Sequence, residues 1–179
     1  AVGRAYTEAT AWQYRFFVPH DVNGMIQLFG GKEEFVAALD DIFNTDAEIH
    51  GNLVDITGLI GQYVHGNEPS HHIAYLYNYV GEPWKTQKMS RRLLNEMYHP
   101  TPEGIIGNED CGQMSAWYIL SSMGLYSVCP GSNEYVLTTP LFEKVVVHLA
   151  NGRTLTILAN DPQKNIYITK VELNGKQID

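Results

Sequence analysis

The chain has 179 residues, with 12 Lys plus Arg against 20 Asp plus Glu, a formal net charge of −8, and 44% hydrophobic residues. This is the composition of a globular chain long enough for a sizeable core, and it excludes a disordered or collagen-like one. No apolar run nears the roughly 20 residues that span a bilayer, and an acidic balance without a basic stripe excludes nucleic acid as a general partner.

The start, AVGRAYTEAT, shows no charged region followed by an apolar one, so no signal peptide is visible. Glu8 to Tyr14 is a dense polar–aromatic segment with only seven residues before it, so the chain is expected to be a piece of something larger. A short helix is expected after Asp21 as N-cap, ended by Gly30-Gly31. Lys32 to Asn44 is the clearest helix, because Phe35, Val36, Leu39, Ile42 and Phe43 share one face of a 3.6-residue period. Pro69 and Pro83 stand where first-turn prolines belong and open helices to Tyr79 and Tyr98. A last helix runs from about Gly112 to Met123, with Gly124 just past its end.

The pattern then turns to β. Val145 to Ala150, the turn Asn151-Gly152 and Thr154 to Ala159 form a hairpin. Ile166 to Leu173 is a third strand, Asn174-Gly175 starts another turn, and a partner strand is expected only beyond Asp179. The fold class is therefore α+β, with helices over 1–126 and a small antiparallel β region over 127–179. The two cysteines, Cys111 and Cys129, make no disulfide framework and are expected reduced.

Three segments concentrate polar residues that are costly to bury. The first holds Glu8, Trp12, Gln13 and Tyr14, followed by Pro19-His20-Asp21. A carboxylate beside aromatic faces suits a sugar, whose CH face packs on the ring while the acid reaches the glycosidic oxygen. A plain core helix through Trp12, Phe16 and Phe17 is the alternative. The second is His65-Gly66-Asn67-Glu68-Pro69-Ser70-His71-His72. Asn67 and Glu68 are hard-oxygen ligands suited to calcium. A zinc site on His65, His71 and His72 competes with this, and so does a simple helix start with the histidines in the core. The third is Gly107-Asn108-Glu109-Asp110-Cys111-Gly112-Gln113, where Asp110 either caps a helix or is held for acid–base work or a cation. Separated carboxylates, an oxygen-rich cation site and an aromatic platform together point to glycoside hydrolysis. Neither GxSxG nor a phosphate loop is present.

The strings YTEATAWQYRFFVPHDV, HGNEPSHHIAYLYNY and GNEDCGQMSAWYILSSMGLY, with the tail from PGSNEYVLTTPLFEKVVVHLANG, closely resemble glycoside hydrolase family 92 over essentially the whole chain. The resemblance implies a calcium-dependent, inverting exo-α-mannosidase, many members of which act on α-1,2-linked mannose. It implies the last helices of an (α/α)6 barrel followed by a β region, with the earlier N-terminal part of the enzyme absent and acting as a partner. By the matching strings, Glu8 is the general acid and Asp110 the general base. Asn108 stands where members with a G-D-E-D string carry an assisting Asp. Asn67, Glu68 and Asp110 are the calcium candidates, and Trp12, Gln13, His65 and Asn108 fall in the sugar shell. Mannose-containing glycan as substrate and a periplasmic, cell-surface or secreted location follow from family habit. A truncated piece that binds calcium or sugar without turnover is the competing reading, and exposed apolar faces are expected to drive its association.

Overall fold

The computed structural model describes residues 5–46 and 55–178. Three helices come first: α1 (Ala11–Tyr14), α2 (Val22–Leu28) and α3 (Lys32–Asn44). Asp21 caps α2 by accepting from the Gly24 N–H at 2.8 Å. In α3 the expected stripe is present, and Phe35, Leu39, Ile42 and Phe43 are buried. Phe16, Phe29 and Phe35 pack together, with ring centroids 5.1–5.8 Å apart.

A tight hairpin of β1 (Leu59–Ile60) and β2 (Tyr63–Val64) leads into the centre of the molecule. Here the expected helix from Pro69 to Tyr79 is replaced by two 3₁₀ segments, Glu68–Ser70 and Ile73–Val80. Side chains take carbonyls that an α-helix would use. The Thr86 hydroxyl donates to the Ala74 carbonyl and the Asn78 amide to the Tyr75 carbonyl. The segment is buried all round rather than on one stripe, with Ile73, Ala74, Tyr75 and Leu76 fully inside.

Helix α4 (Pro83–Glu96) buries a face that is largely polar: Thr86, Gln87, Ser90 and Arg91 beside Leu93 and Leu94. The β tail accounts for it. Ser90 hydrogen-bonds the Thr138 hydroxyl at 2.6 Å, Arg91 donates to the Pro140 carbonyl at 2.9 Å, and Gln87 accepts from the Ile168 N–H at 3.1 Å. Helix α5 (Gln113–Ser122) follows, and Gly124 lies past its end in the left-handed region, as expected.

The tail is not one sheet. Its pairs are β3 (Leu125–Tyr126) with β4 (Val136–Leu137), β5 (Lys144–His148) with β6 (Thr154–Leu158), and β7 (Val171–Leu173) with β8 (Lys176–Ile178). The expected hairpin over 145–159 is there. The expected strand from Ile166 shrinks to Val171–Leu173, because Thr139 and Gln87 capture backbone groups of Ile166 and Ile168 that a neighbouring strand would need. Its partner lies within the chain: Asn174 and Gly175, both at positive φ, form the two-residue turn to β8. The tail also carries exposed apolar side chains, including Leu158 at 72% and Leu173 at 54%. A cavity of about 750 Å³ lies among these hairpins, lined by Leu155, Ile157, Ile166 and Val171. None of the three polar segments lines it.

Those three segments are drawn together elsewhere. After α4, Tyr98 bridges Ile105, and the chain returns Gly107 against Gly66. A Cβ on Gly107 would stand 2.7 Å from the Gly66 carbonyl oxygen and 2.8 Å from its Cα, and φ there is +78°. Only glycine lets these two backbones touch. Gly107→Ala is expected to cost about 2–4 kcal/mol from overpacking plus a left-handed backbone. Chemical denaturation of the variant against the parent checks it.

Burial also sets a pH dependence. His65 is lowered to about 3 by burial, with nearby His71 adding to the effect. His71 and His72 are each lowered to about 4, again chiefly by burial. Unfolded imidazoles take up protons near pH 6.5. Between there and pH 4 the unfolded chain binds more protons, so stability is full above about pH 6.5 and falls as pH drops through that window. Each histidine contributes up to about 1.4 kcal/mol per pH unit. Denaturation midpoints at pH 7 and pH 5 check this, and a flat profile would refute it.

Candidate active site

Glu8 sits just before α1 on a segment held from several sides. Tyr14 donates its hydroxyl to the Thr7 carbonyl at 3.0 Å, and Ala9 is buried. Thr10 caps α1 reciprocally with Gln13: the Thr10 hydroxyl accepts from the Trp12 N–H, and the Gln13 oxygen accepts from the Thr10 N–H at 2.8 Å. The Asn67 side-chain nitrogen donates to the Glu8 carbonyl at 2.9 Å and lies 3.5 Å from its carboxylate. Glu8 itself is exposed and holds φ +53°.

Asp110 has the same character on the loop before α5. Asp110, Cys111 and Gly112 take φ values of +45°, +60° and +93° in succession, a left-handed turn that side chains resist. Capping does not explain it. Glu109 performs that task at the start of α5, accepting from the Ser115 N–H at 3.1 Å and the Ser115 hydroxyl at 2.8 Å. Asp110 and Asn108 are left exposed. Among the described residues, five that are not glycine have positive φ: Glu8, Asp110, Cys111, Asp161 and Asn174. Asn174 belongs to a hairpin turn, the Asp161 carbonyl closes a turn with Lys164 and Asn165, and Asp110 and Cys111 are the middle of a turn closed from the Gly112 N–H to the Glu109 carbonyl. Glu8, Asp110 and Cys111 stand at the two expected catalytic carboxylates. Backbone strain of this kind costs on the order of 1–3 kcal/mol per residue and gathers at functional sites.

Between these loops lies His65. It is fully buried, and both ring nitrogens are engaged, Nδ1 with the Tyr63 hydroxyl at 2.9 Å and Nε2 with the Tyr98 hydroxyl at 2.8 Å. Tyr98 donates to the Met114 carbonyl, so it accepts from His65, whose proton is on Nε2. His71 donates Nε2–H to the His65 carbonyl at 2.9 Å, and Trp117 donates to the His71 carbonyl at 3.0 Å. His72 donates to the Phe16 carbonyl at 2.7 Å. The three histidines are thus spent on tyrosines and backbone, as the core alternative required, and do not converge on a zinc ion.

Two residues expected in a sugar shell are placed differently. His65 would have to give up a tyrosine to meet a hydroxyl. Gln13 is 1% exposed, with its oxygen on Thr10 and its nitrogen on the Gln62 carbonyl. Both hold loops rather than face solvent. Trp12 is half-buried, and the Arg15 guanidinium lies 4.4 Å from its ring centroid. Of the calcium candidates, Asn67 is buried, whereas Glu68 and Asp110 are exposed. They agree with a hard cation in kind, and the Gly66–Gly107 contact makes their loops neighbours. No group of three or more His, Cys, Asp or Glu that could hold a metal gathers among the described residues. The shell would draw also on amide and carbonyl oxygens, water or substrate hydroxyls. Glu109, Ser115, Tyr63 and Tyr98 had no sequence signal as supports, and neither had the contact of Gly66 with Gly107.

No helix among the described residues is long and apolar enough to cross a membrane. The family model described as "Glycosyl hydrolase family 92 catalytic domain" matches residues 2–179. An "Uncharacterized secreted glycosidase" of Arthroderma benhamiae is 34% identical over 174 residues, which is 95% of this chain and 20% of the relative. The family GH92 α-mannosidase BT3965 of Bacteroides thetaiotaomicron, in complex with mannoimidazole, superposes with a TM-score of 0.88 at 43% identity, covering 96% of this chain and 23% of that one. The family GH92 inverting mannosidase BT2199 from the same species gives 0.81 at 39% identity, covering 97% and 25%. The chain therefore spans about a fifth to a quarter of the length of these relatives. With a family match over nearly every residue, this chain belongs to glycosyl hydrolase family 92.

Proposed function

We propose that the chain carries the acid and base of an inverting exo-α-mannosidase that removes terminal α-linked mannose, α-1,2-linked in preference, from glycans. The observation that carries this reading is the paired backbone strain at Glu8 and Asp110, on loops that meet at the segment from His65 to Glu68. The strain has a cost, and at both positions a carboxylate rather than a glycine bears it. The likeness to α-mannosidases supports the substrate class.

In this mechanism Glu8 gives its proton to the glycosidic oxygen as the bond to the leaving sugar breaks. Asp110 takes a proton from the water that attacks the anomeric carbon from the opposite face. Single displacement inverts the centre and calls for carboxyl groups roughly 6.5–9.5 Å apart. Asn108, an amide at the assisting position, can hold the water by hydrogen bonding but cannot share the proton. Trp12 offers an aromatic wall for the sugar's CH face. His65 and Gln13 serve the site indirectly, by fixing its loops. Asn67, Glu68 and Asp110 would contribute oxygens to calcium, which when bound supplies positive charge to sugar hydroxyls near the reacting carbon. We place this chain within the C-terminal helices of an (α/α)6 barrel and the β region after it. The remaining polypeptide of the longer enzyme is its partner. The exposed apolar tail residues favour that partnership. A periplasmic, surface or secreted location agrees with a substrate in external glycans and with the secreted relative.

Mannose release from α-1,2-mannobiose is the test, on this chain and on the full-length protein containing it. Glu8→Gln and Asp110→Asn are each expected to cut kcat by 10²–10⁴-fold, the usual worth of a general acid or base. Unaltered turnover in either variant would sink its assigned role. The first-formed anomer, read by NMR, should be inverted. A calcium chelator is expected to abolish release, and added calcium, not zinc, to restore it. Turnover by the full-length protein alone would make this chain a part of the site that cannot act by itself.

A further inference from the structure

We propose that Asn67 positions Glu8 through its side-chain amide nitrogen, holding the acid in its left-handed backbone conformation. The inference rests on the reading of Glu8 as general acid and deepens it. The Asn67 nitrogen donates to the Glu8 carbonyl at 2.9 Å and stands 3.5 Å from the Glu8 carboxylate. A residue at φ +53° returns to the ordinary region unless its neighbours forbid it. The preceding carbonyl is held by Tyr14 and the following residue is buried, so Asn67 supplies the tie at Glu8 itself.

Asn67 is well suited to be the fixed end. Its side chain is on a residue 3% exposed. Its own carbonyl accepts from the Ser70 N–H, the Gly66 N–H donates to the Thr57 carbonyl, and the His65 carbonyl accepts from His71. The loop therefore cannot follow Glu8 if the acid moves. The chemistry also explains the residue type. A carboxylate at position 67 could offer oxygens to a cation but has no N–H to give to Glu8. Asparagine offers both, its nitrogen to the acid and its oxygen on the other side.

The Asn67→Asp variant separates the two ends of that side chain. It keeps the oxygens and removes the donor. The assay uses the form that turns over, with α-1,2-mannobiose and with 2,4-dinitrophenyl α-mannoside, whose leaving group departs without a proton. Both Asn67→Asp and the reference variant Glu8→Gln are expected to lose at least about 10²-fold in kcat on mannobiose while staying within about tenfold of the parent on the activated substrate. The calcium concentration for half-maximal thermal stabilisation should stay the same or fall in Asn67→Asp. Equal loss on both substrates, or full activity on mannobiose, would overturn the positioning role. If Glu8→Gln itself shows no leaving-group dependence, the acid assignment fails instead and takes the inference with it. Asn67→Ser, too short to reach the Glu8 carbonyl, repeats the comparison without a new charge, and thermal unfolding verifies that each variant is folded.

Discussion

A polar side chain taken out of water must find its partner inside the protein, and the segment from Tyr63 to Tyr77 is organised by that constraint. Three histidines enter the core here, and none is charged there. Burial pulls all three well below the ordinary imidazole range, so each keeps one N–H, and each of those protons has an acceptor. Tyr63, Tyr98 and Trp117 complete the set around His65, with the indole 4.4 Å from the imidazole in an edge-on contact. With those three protons placed and both ring nitrogens of His65 engaged, the loop is held in one arrangement.

That rigidity reaches the two carboxylates by different routes. Glu8 is tied through the Asn67 side chain, across 59 residues of sequence. Asp110 is reached through backbone contact, since Gly107 lies directly on Gly66. One anchored loop thus fixes the relative position of residues that are far apart in the chain. It also divides labour between adjacent acids. Glu109 stabilises the start of α5 through Ser115, so the Asp110 carboxylate is not spent on that cap.

The tail is joined to this arrangement through α4 rather than through a continuous sheet. Ser90, Arg91 and Gln87 would be out of place on a buried helix face, but each meets a tail group with unsatisfied hydrogen-bonding capacity. The hairpins beyond are short and separate, with outer sides that mix polar residues such as Lys144, Thr154 and Thr156 with exposed Val146, Leu158 and Leu173. Two-stranded hairpins of this size gain little from their own pairing, and the segments between them, through Thr138, Pro140 and Ile168, make the bonds to α4.

The sequence by itself determined the elements whose signals are local. The period of Phe35, Leu39, Ile42 and Phe43 defined α3, Asp21 started α2, and Asn151-Gly152 located the β5–β6 hairpin, because each depends on neighbours within one or two turns of chain. The three polar strings were also legible, as was the family they carry. Tertiary structure decided what those strings do for one another. It turned Pro69 to Tyr79 into 3₁₀ segments by lending side chains to its carbonyls, and it broke the strand from Ile166 by capturing its backbone. It drew His65 and Gln13 inward and gave capping to Glu109 instead of Asp110. Hydrogen bonds between residues dozens of positions apart leave no periodicity in a sequence, so their partners were visible only once the chain had closed on itself.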